Sequence, residues 1–291
     1  MREEGFRPAV FRQGEAARGR AGGDAEGARP ADDREAGAGK RHSRREPGTV
    51  IELARVSKRY QGRAVLDGVS LRIGEGEFVA LVGQSGAGKT TLLKAINRLA
   101  EIDEGSVTIA DIEGSPAELR RRIGYVFQGI GLFPHMTVAE NIALVPKLGG
   151  GEARVGELLD LVALPRDLAG RYPAQLSGGQ QQRVGVARAL AAEPKIVLMD
   201  EPFGALDPVT RAELGQAYRA LHTRMGLTTV MVTHDLAEAL LLADRVVVLA
   251  GGRIAADLPP KDLFHFEGDP AIAAMIATVR AQAGRLEELA R

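Results

Sequence analysis

Short apolar runs alternate with segments of helical spacing along the chain from residue 50 onwards. Six of these runs are rich in β-branched or other large apolar side chains, which is typical of buried strands. They cover residues 50–56, 65–73, 78–82, 196–199, 229–232 and 246–249. Because strands alternate with helices, the pattern favours an α/β fold with a partly parallel sheet.

The pattern becomes helical in the middle of the chain, over about residues 129–193. Thr137 and Glu140 have the spacing of a capping box, in which a polar N-cap residue is followed three residues later by an acid. Further along, apolar side chains recur at helical spacing at Val155, Leu158, Leu159 and Val162. We therefore predict a helical insertion inside an α/β domain that covers residues 50–264.

The last segment, residues 265–291, has the pattern of a helical tail. Asp269 and Pro270 form a helix start signal. The apolar residues that follow lie on one helical face, at Ile272, Met275, Ile276 and Val279. We expect this face to pack on the core or on a partner subunit.

Residues 1–49 consist mostly of Ala, Gly, Arg, Glu and Asp, and they contain few large apolar side chains. Such a segment buries too little surface to offset the entropy of ordering it, so we predict that it is disordered. A regulatory or docking arm is the functional alternative. A third interpretation is that translation starts at Val50, from a GTG codon of a GC-rich genome.

Composition narrows the choice of partners and compartments. Lys+Arg 38 balances Asp+Glu 38, so net charge provides no general attraction to nucleic acid and we expect no nucleic-acid partner. The absence of Cys excludes disulfides and thiolate metal sites. No apolar run approaches the roughly 20 residues of a membrane-spanning helix, and the first residues lack the pattern of a secretory signal.

A glycine-rich loop follows the third predicted strand, and it precedes a segment that predicts a helix over residues 91–99. It reads Gly83-Gln84-Ser85-Gly86-Ala87-Gly88-Lys89-Thr90 and matches the phosphate-binding pattern G-x-x-x-x-G-K-[ST]. The glycines allow successive backbone N–H groups to surround phosphate oxygens, and the helix adds its positive end. Lys89 is placed to reach the β- and γ-phosphates, and the Thr90 hydroxyl to reach Mg²⁺.

Two adjacent acids, Asp200 and Glu201, end the apolar strand predicted over residues 196–199. An acid pair of this kind is the form of a Walker B element, in which Asp200 holds Mg²⁺ through water and Glu201 polarises the attacking water. The alternative is an exposed strand exit. The phosphate-binding loop upstream favours the catalytic interpretation.

A second glycine-rich helix start lies about 20 residues before this acid pair. It reads Leu176-Ser177-Gly178-Gly179-Gln180, where Ser177 is placed as an N-cap and the glycines leave backbone N–H groups open for an anion. With this segment the sequence resembles the ATP-binding cassette (ABC) ATPase family, whose signature LSGGQ it matches without change. The resemblance covers residues 50 to about 264.

The resemblance implies a fold and further site residues. The fold is a RecA-like P-loop core with an N-terminal antiparallel β subdomain and an inserted α-helical subdomain. By resemblance, Tyr60 stacks on adenine, Gln128 joins the Mg²⁺ shell with Thr90 and Asp200, and Thr91 belongs to the ATP-binding loop. Asp207, in Ala205-Leu206-Asp207, corresponds to the D-loop. His234 corresponds to the switch histidine, which places it with Glu201 and Lys89 as a catalytic residue.

Residue chemistry alone leaves two of these assignments open. Tyr60 is also compatible with packing at a strand end, and a single His such as His234 is more often structural. The resemblance also implies that the signature of one subunit faces the phosphate-binding loop of another, so that ATP sites form in a homodimer or in a pair with a similar chain.

The resemblance to importer ATPases suggests a transport role. The segments around Phe133, Pro134 and residues 140–148 look like those of the glycine betaine, choline and carnitine (quaternary amine) importer ATPases. This likeness implies membrane permease subunits that are contacted through coupling helices, an indirect solute-binding protein, and a peripheral place at the cytoplasmic face of the cell membrane. Importers of another small solute, such as an amino acid, polyamine or sulfonate, are alternatives, and a cassette acting on ribosomes or DNA is a weaker one.

Overall fold

The computed structural model describes residues 48–289 except 111, 113, 130 and 205. The predictions for residues 1–47 lie outside the described residues. In chain order the strands are β1 (Thr49–Tyr60), β2 (Arg63–Gly74), β3 (Phe78–Val82), β4 (Glu104–Ile109), β5 (Ile123–Val126), β6 (Ile196–Asp200), β7 (Thr228–Val232), β8 (Arg245–Ala250) and β9 (Arg253–Leu258). The helices are α1 (Lys89–Ile96), α2 (Pro116–Arg122), α3 (Val138–Leu148), α4 (Val155–Leu161), α5 (Gly178–Leu190), α6 (Pro208–Met225), α7 (Leu236–Leu242), α8 (Pro260–Phe264) and α9 (Pro270–Leu289).

Three strands form an antiparallel sheet in the order β2-β1-β4. The hairpin between β1 and β2 turns at Gln61 and Gly62, which both have positive φ, as a two-residue hairpin of this twist requires. Ile51 and Leu53 of β1 are buried in the core, whereas Tyr60 at the end of the strand is exposed. The sheet therefore covers the core and presents the Tyr60 end of the hairpin to solvent.

The second sheet has six strands in the order β5-β6-β7-β3-β8-β9. The first five are parallel, and β9 is antiparallel to β8. Every residue of β3, β5, β6 and β7 is buried, which is expected of parallel strands covered on both faces. The predicted α/β fold class is confirmed. The pattern did not predict β4, β5 and β9, which are short and, for β4 and β9, partly exposed.

The segment between β5 and β6 is helical and contains α3, α4 and α5 together with two short 3₁₀ turns. Thr137 caps α3 and Ser177 caps α5, each through a reciprocal capping box. The helix that the sequence predicts over residues 91–99 starts and ends earlier in the structure, as α1. It begins at Lys89 because Gly88 is left-handed, and it ends at Ile96 before Arg98, which is also left-handed.

The C-terminal helix α9 packs its apolar face on the larger core cluster. Ile272 and Ile276 are buried in this cluster, and Met275 and Val279 pack against it while partly exposed. None of the described helices has both the length and the apolar composition that crossing a membrane requires.

A fully buried Asn holds the loop that precedes α3. The Oδ1 atom of Asn141 accepts from the backbone N–H of Phe133 at 2.8 Å, and its Nδ2 atom donates to the carbonyl oxygens of Phe133, Met136 and Thr137 at 3.0–3.1 Å. One side chain thereby satisfies four backbone groups of a segment without regular structure.

Replacing Asn141 by Ala is expected to lower the free energy of unfolding by at least about 2 kcal/mol, because backbone groups around a buried position lose their partner. Urea denaturation of the full chain measures the change. Lys147→Ala on the exposed side of the same helix is the control and should stay within about 0.5 kcal/mol of the wild type. Equal stability of Asn141→Ala and wild type would contradict this role.

Candidate functional site

Polar residues follow the carboxyl ends of four neighbouring parallel strands. The glycine-rich loop follows β3, Gln128 follows β5, Glu201 follows β6 and His234 follows β7. Since the strand order is β5-β6-β7-β3, these segments meet at one edge of the sheet. That edge is where ligands bind in open α/β sheets.

At two positions of the loop after β3, only glycine fits, because the backbone has a positive φ and a neighbouring backbone oxygen occupies the place of a Cβ atom. Gly83 has φ 147° and Gly88 has φ 98°. A Cβ atom would come within 2.2 Å of the Leu249 carbonyl oxygen at Gly83, and within 2.5 Å of the Val65 carbonyl oxygen at Gly88. Gly86, with φ 79°, has no such neighbour within 4 Å. The loop is therefore held against β8 and β2 at both ends.

Lys89 begins α1 and is almost fully buried at the base of this loop. Its ammonium group donates to the carbonyl oxygens of Gly83 at 2.8 Å and Gln84 at 3.0 Å. Burial lowers the pKa of Lys89, and the carboxylates of Glu201 and Asp200 oppose this shift. A desolvated ammonium group at this place is suited to bind phosphate oxygens.

Thr90 and Asp200 bring two oxygen atoms together beside Lys89. The Thr90 hydroxyl donates to Asp200 Oδ1 at 2.9 Å. Burial raises the pKa of Asp200, and the hydrogen bond from Thr90 opposes the shift. A hydroxyl and a carboxylate are ligands of the hard oxygen type that Mg²⁺ prefers, so the donor set fits this ion.

Glu201 lies between the side chains of Gln128 and His234. Its Oε2 atom accepts from Gln128 Nε2 at 3.2 Å and lies 3.5 Å from His234 Nδ1. The Glu201 backbone has φ 47°, which is uncommon for a residue with a side chain, and its N–H donates to the Val232 carbonyl oxygen at 2.9 Å. The strained backbone aims this carboxylate into the site.

Most of these residues line one cavity of about 920 Å³, whereas Gly83, Gln84 and Asp200 lie behind Lys89 and Thr90 and do not line it. Its lining includes Lys89, Glu201 and His234, with Tyr60 half-exposed at its edge. The remaining lining residues are Arg63, Ala64, Val65, Ser85, Gly86, Ala87, Gly88, Thr90, Thr91, Gln128, Gly251 and Gly252. Sequence reasoning missed Arg63, Ala64, Val65, Gly251 and Gly252. The Gly251-Gly252 pair could have been recognised as a turn signal. Because the pair is far along the chain from the glycine-rich loop, the sequence did not indicate that the two segments line the same cavity.

The signature segment and Asp207 do not line this cavity. Ser177 accepts from the Gln180 N–H, Ser177 and Gly178 are exposed, and Leu176 is buried. Asp207 caps α6 by accepting from the N–H groups of Val209 and Thr210, and Ala205 lies outside the described residues. The predicted site residues therefore fall into two groups, one that lines or adjoins the cavity and a second, the signature segment with Asp207, that does not line it.

Comparisons with known proteins identify the family of this chain. The family model described as ABC transporter matches residues 66–204. The glycine betaine uptake system ATP-binding protein YehX of Escherichia coli (strain K12) is 51% identical over 213 residues, which are 70% of this chain and 69% of that protein. The chain belongs to the family of ABC transporter ATP-binding proteins. Membership implies that this ABC protein binds ATP.

Two further relatives of this ABC protein show how far the likeness extends. The choline transport ATP-binding protein OpuBA of Bacillus subtilis (strain 168) is 48% identical over 240 residues, covering 79% of this chain and 63% of that protein. The chain thus spans less than two thirds of the length of this relative. The structure of the ATP-binding cassette MJ0796, a dimer in a post-hydrolysis state bound to ADP and Pi, aligns with TM-score 0.67 and 38% identity. The alignment covers 72% of this chain and 98% of that one, and it confirms the ABC ATPase fold.

The two loop glycines make a matched pair for a test of backbone fit. Gly88→Ala is expected to lower the free energy of unfolding by at least about 3 kcal/mol, because its Cβ would overlap the Val65 carbonyl oxygen. Gly86→Ala should cost only about 1 kcal/mol, the strain of a left-handed residue without a clash. Chemical denaturation of both variants measures the difference, and equal losses would show that the Val65 contact is unimportant.

Proposed function

We propose that this chain hydrolyses ATP in the cavity as the ATPase subunit of an ABC importer. The observation that carries the proposal is the convergence of an ammonium group, a hydroxyl–carboxylate pair and a hydrogen-bonded carboxylate at one edge of the sheet. The Lys89 ammonium, the Thr90–Asp200 pair and the Glu201 carboxylate all lie around the glycine-rich loop. Phosphoryl transfer depends on this kind of positioning and charge stabilisation.

Phosphate binding falls to the loop and to Lys89. The backbone N–H groups between Gly83 and Gly88, with those of Thr90 and Thr91 at the start of α1, would surround the phosphates. Gln84, Ser85 and Ala87 supply loop backbone in this role. The ring of Tyr60, half-exposed at the cavity edge with Lys58 Nζ 5.2 Å from its centre, would stack on the adenine base.

The residues that would hold Mg²⁺ are Thr90, Gln128 and Asp200, with Asp200 acting through water. When bound, the ion neutralises charge on the β- and γ-phosphates. The 2.9 Å contact between Thr90 and Asp200 keeps both oxygens on the same side of the loop. The Gln128 carboxamide reaches the same region from the end of β5, because its Nε2 atom contacts Glu201.

Glu201 would act as the general base that orients and deprotonates the attacking water. Gln128 Nε2 and His234 Nδ1 both approach its Oε2 atom, which restricts the rotation of the carboxylate. His234 is more than half-exposed, so its imidazole is accessible to the γ-phosphate of a bound nucleotide. Together with Lys89 these two residues form the proposed catalytic set.

Two copies of the chain, or this chain and a similar one, would complete each site. The segment from Leu176 to Gln180 presents the capped start of α5 on the surface, away from the chain's own cavity. Such a helix start is suited to bind the phosphates of a nucleotide held by another chain. Asp207 would contact the same partner. The dimer reported for MJ0796 supports this pairing.

The proposed transport substrate is a quaternary amine such as glycine betaine, choline or carnitine. The names of the relatives YehX and OpuBA support this class. Permease subunits would dock through coupling helices near Phe133 and Pro134, which are exposed, and a solute-binding protein would act through them. This role places the chain at the cytoplasmic face of the cell membrane as a peripheral subunit without a nucleic-acid partner.

Glu201→Gln is expected to retain ATP binding while hydrolysis slows at least ~100-fold, because the amide cannot take the proton of the attacking water. ATP turnover and nucleotide affinity of the full chain, measured separately, test this. Trapping of a stable dimer by ATP in this variant would accompany the loss. Near-wild-type turnover would remove Glu201 from the role of base.

The comparison variant Lys89→Ala should be impaired in ATP binding, the step that precedes hydrolysis. Loss of a charge-assisted contact to phosphate is expected to weaken ATP affinity at least ~10-fold. Titration with a fluorescent ATP analogue distinguishes the two variants. If Lys89→Ala bound the analogue as tightly as Glu201→Gln does, the phosphate role of Lys89 would be wrong.

Solute specificity is expected to lie outside this chain. In the reconstituted transporter, Phe133→Ala should reduce the ATPase activity that loaded binding protein stimulates more than it reduces the basal ATPase activity. The basal activity should be retained because Asn141 holds this loop through hydrogen bonds to the backbone of Phe133, which the substitution leaves in place. Leu241→Ala, another exposed apolar side chain, is the control. Equal loss of both activities in Phe133→Ala, or saturable betaine binding to the isolated chain, would contradict this division of roles.

A further inference from the structure

The side chain of Arg211 in the first turns of α6 contacts two loops at once. Its Nη1 atom lies 3.3 Å from Asp235 Oδ2, and its Nη2 atom donates to the Leu206 carbonyl oxygen at 3.1 Å. Leu206 immediately precedes Asp207, and Asp235 immediately follows His234. One guanidinium group therefore joins the segment at Asp207 to the segment at His234.

Asp235 is held from three directions. Its Oδ1 atom caps α7 by accepting from the Glu238 N–H at 3.1 Å, and its own N–H donates to the Thr233 hydroxyl at 3.0 Å. Its Oδ2 atom faces Arg211. The backbone next to His234 is thus fixed at its own strand end and tied to α6 by Arg211.

Arg211 does not line the nucleotide cavity, so it touches neither the reacting groups nor the nucleotide space. The planar guanidinium presents its donors in a fixed fork, and two acceptors held by one fork keep a constant separation. The guanidinium group therefore links the Leu206 carbonyl oxygen directly to the Asp235 carboxylate.

We propose that Arg211 is a positioning residue that couples the segment at Asp207 to the imidazole of His234. The inference rests on the proposed function, in which His234 acts at the chain's own site and Asp207 contacts the site of the paired chain. Through Arg211, pairing at Asp207 orients His234 against Glu201.

Kinetics of full-length variants provide the first test. Arg211→Gln is expected to lower kcat about 10-fold with KM within about 2-fold of wild type, because alignment is lost while the cavity is intact. Arg211→Lys should be intermediate, since an ammonium group cannot hold both acceptors in fixed geometry. Arg219→Gln is the matched control. Arg219 lies two turns further along α6 and pairs with Asp244 instead, so its loss should leave kcat near wild type.

Hydrogen exchange provides a test that does not require activity. Asp235→Asn keeps a good helix cap but removes the charge that faces Arg211. Both Arg211→Gln and Asp235→Asn should accelerate exchange at least ~3-fold in residues 206–211 and also in residues 233–238. Acceleration confined to the segment that carries each substitution would overturn the linkage, as would an Arg219→Gln control that behaves like Arg211→Gln.

The two tests separate the inference from the proposed function. An active wild type with unchanged kcat in Arg211→Gln would overturn the inference and leave the ATPase proposal intact. A wild type without ATPase activity would contradict the proposed function, and the exchange measurement would still decide whether Arg211 links the two segments.

Discussion

Parallel pairing of β5, β6, β7 and β3 is the constraint on which the rest of the structure depends. All residues of these strands are buried, and the few polar side chains within them are buried at the strand ends, such as Thr229, which contacts the Tyr218 hydroxyl, and Asp200, which accepts from Thr90. Parallel strands place all of their carboxyl ends at one edge, and four loops with polar residues consequently meet there. The helices, together with the antiparallel sheet, cover the apolar faces and leave this edge accessible.

Charges at this edge compensate one another across elements. Burial disfavours the charged forms of both Lys89 and Asp200, and each is stabilised by neighbours of opposite charge or by a hydrogen bond. Glu201 stabilises the charged form of Lys89 and is itself contacted by Gln128 and His234. Neighbouring groups therefore fix the positions of these side chains, and the left-handed backbone at Glu201 is part of that arrangement.

Buried polar side chains connect this edge to the helical segment. Arg188 of α5 donates to the Gly131 carbonyl oxygen at 2.7 Å and lies over the ring of Phe127, which precedes Gln128. Asn141 of α3 holds the backbone of Phe133 in the same loop. The helix that starts with the signature segment and the loop after β5 are consequently joined, so that the helical segment and the site are mechanically connected.

Local chemistry in the sequence was sufficient to predict the main elements and the candidate site residues of this protein. The glycine-rich loop, the acid pair after β6 and the capped start of α5 are each defined by neighbours along the chain, so pattern and motif could identify them. Tertiary structure alone decided what depends on distant residues. It brought Val65 and Gly252 to the loop, paired Thr90 with Asp200 and placed the signature segment away from the cavity. It also added β4, β5 and β9, whose short or half-exposed sequences acquire strand structure only from pairing with a neighbouring strand.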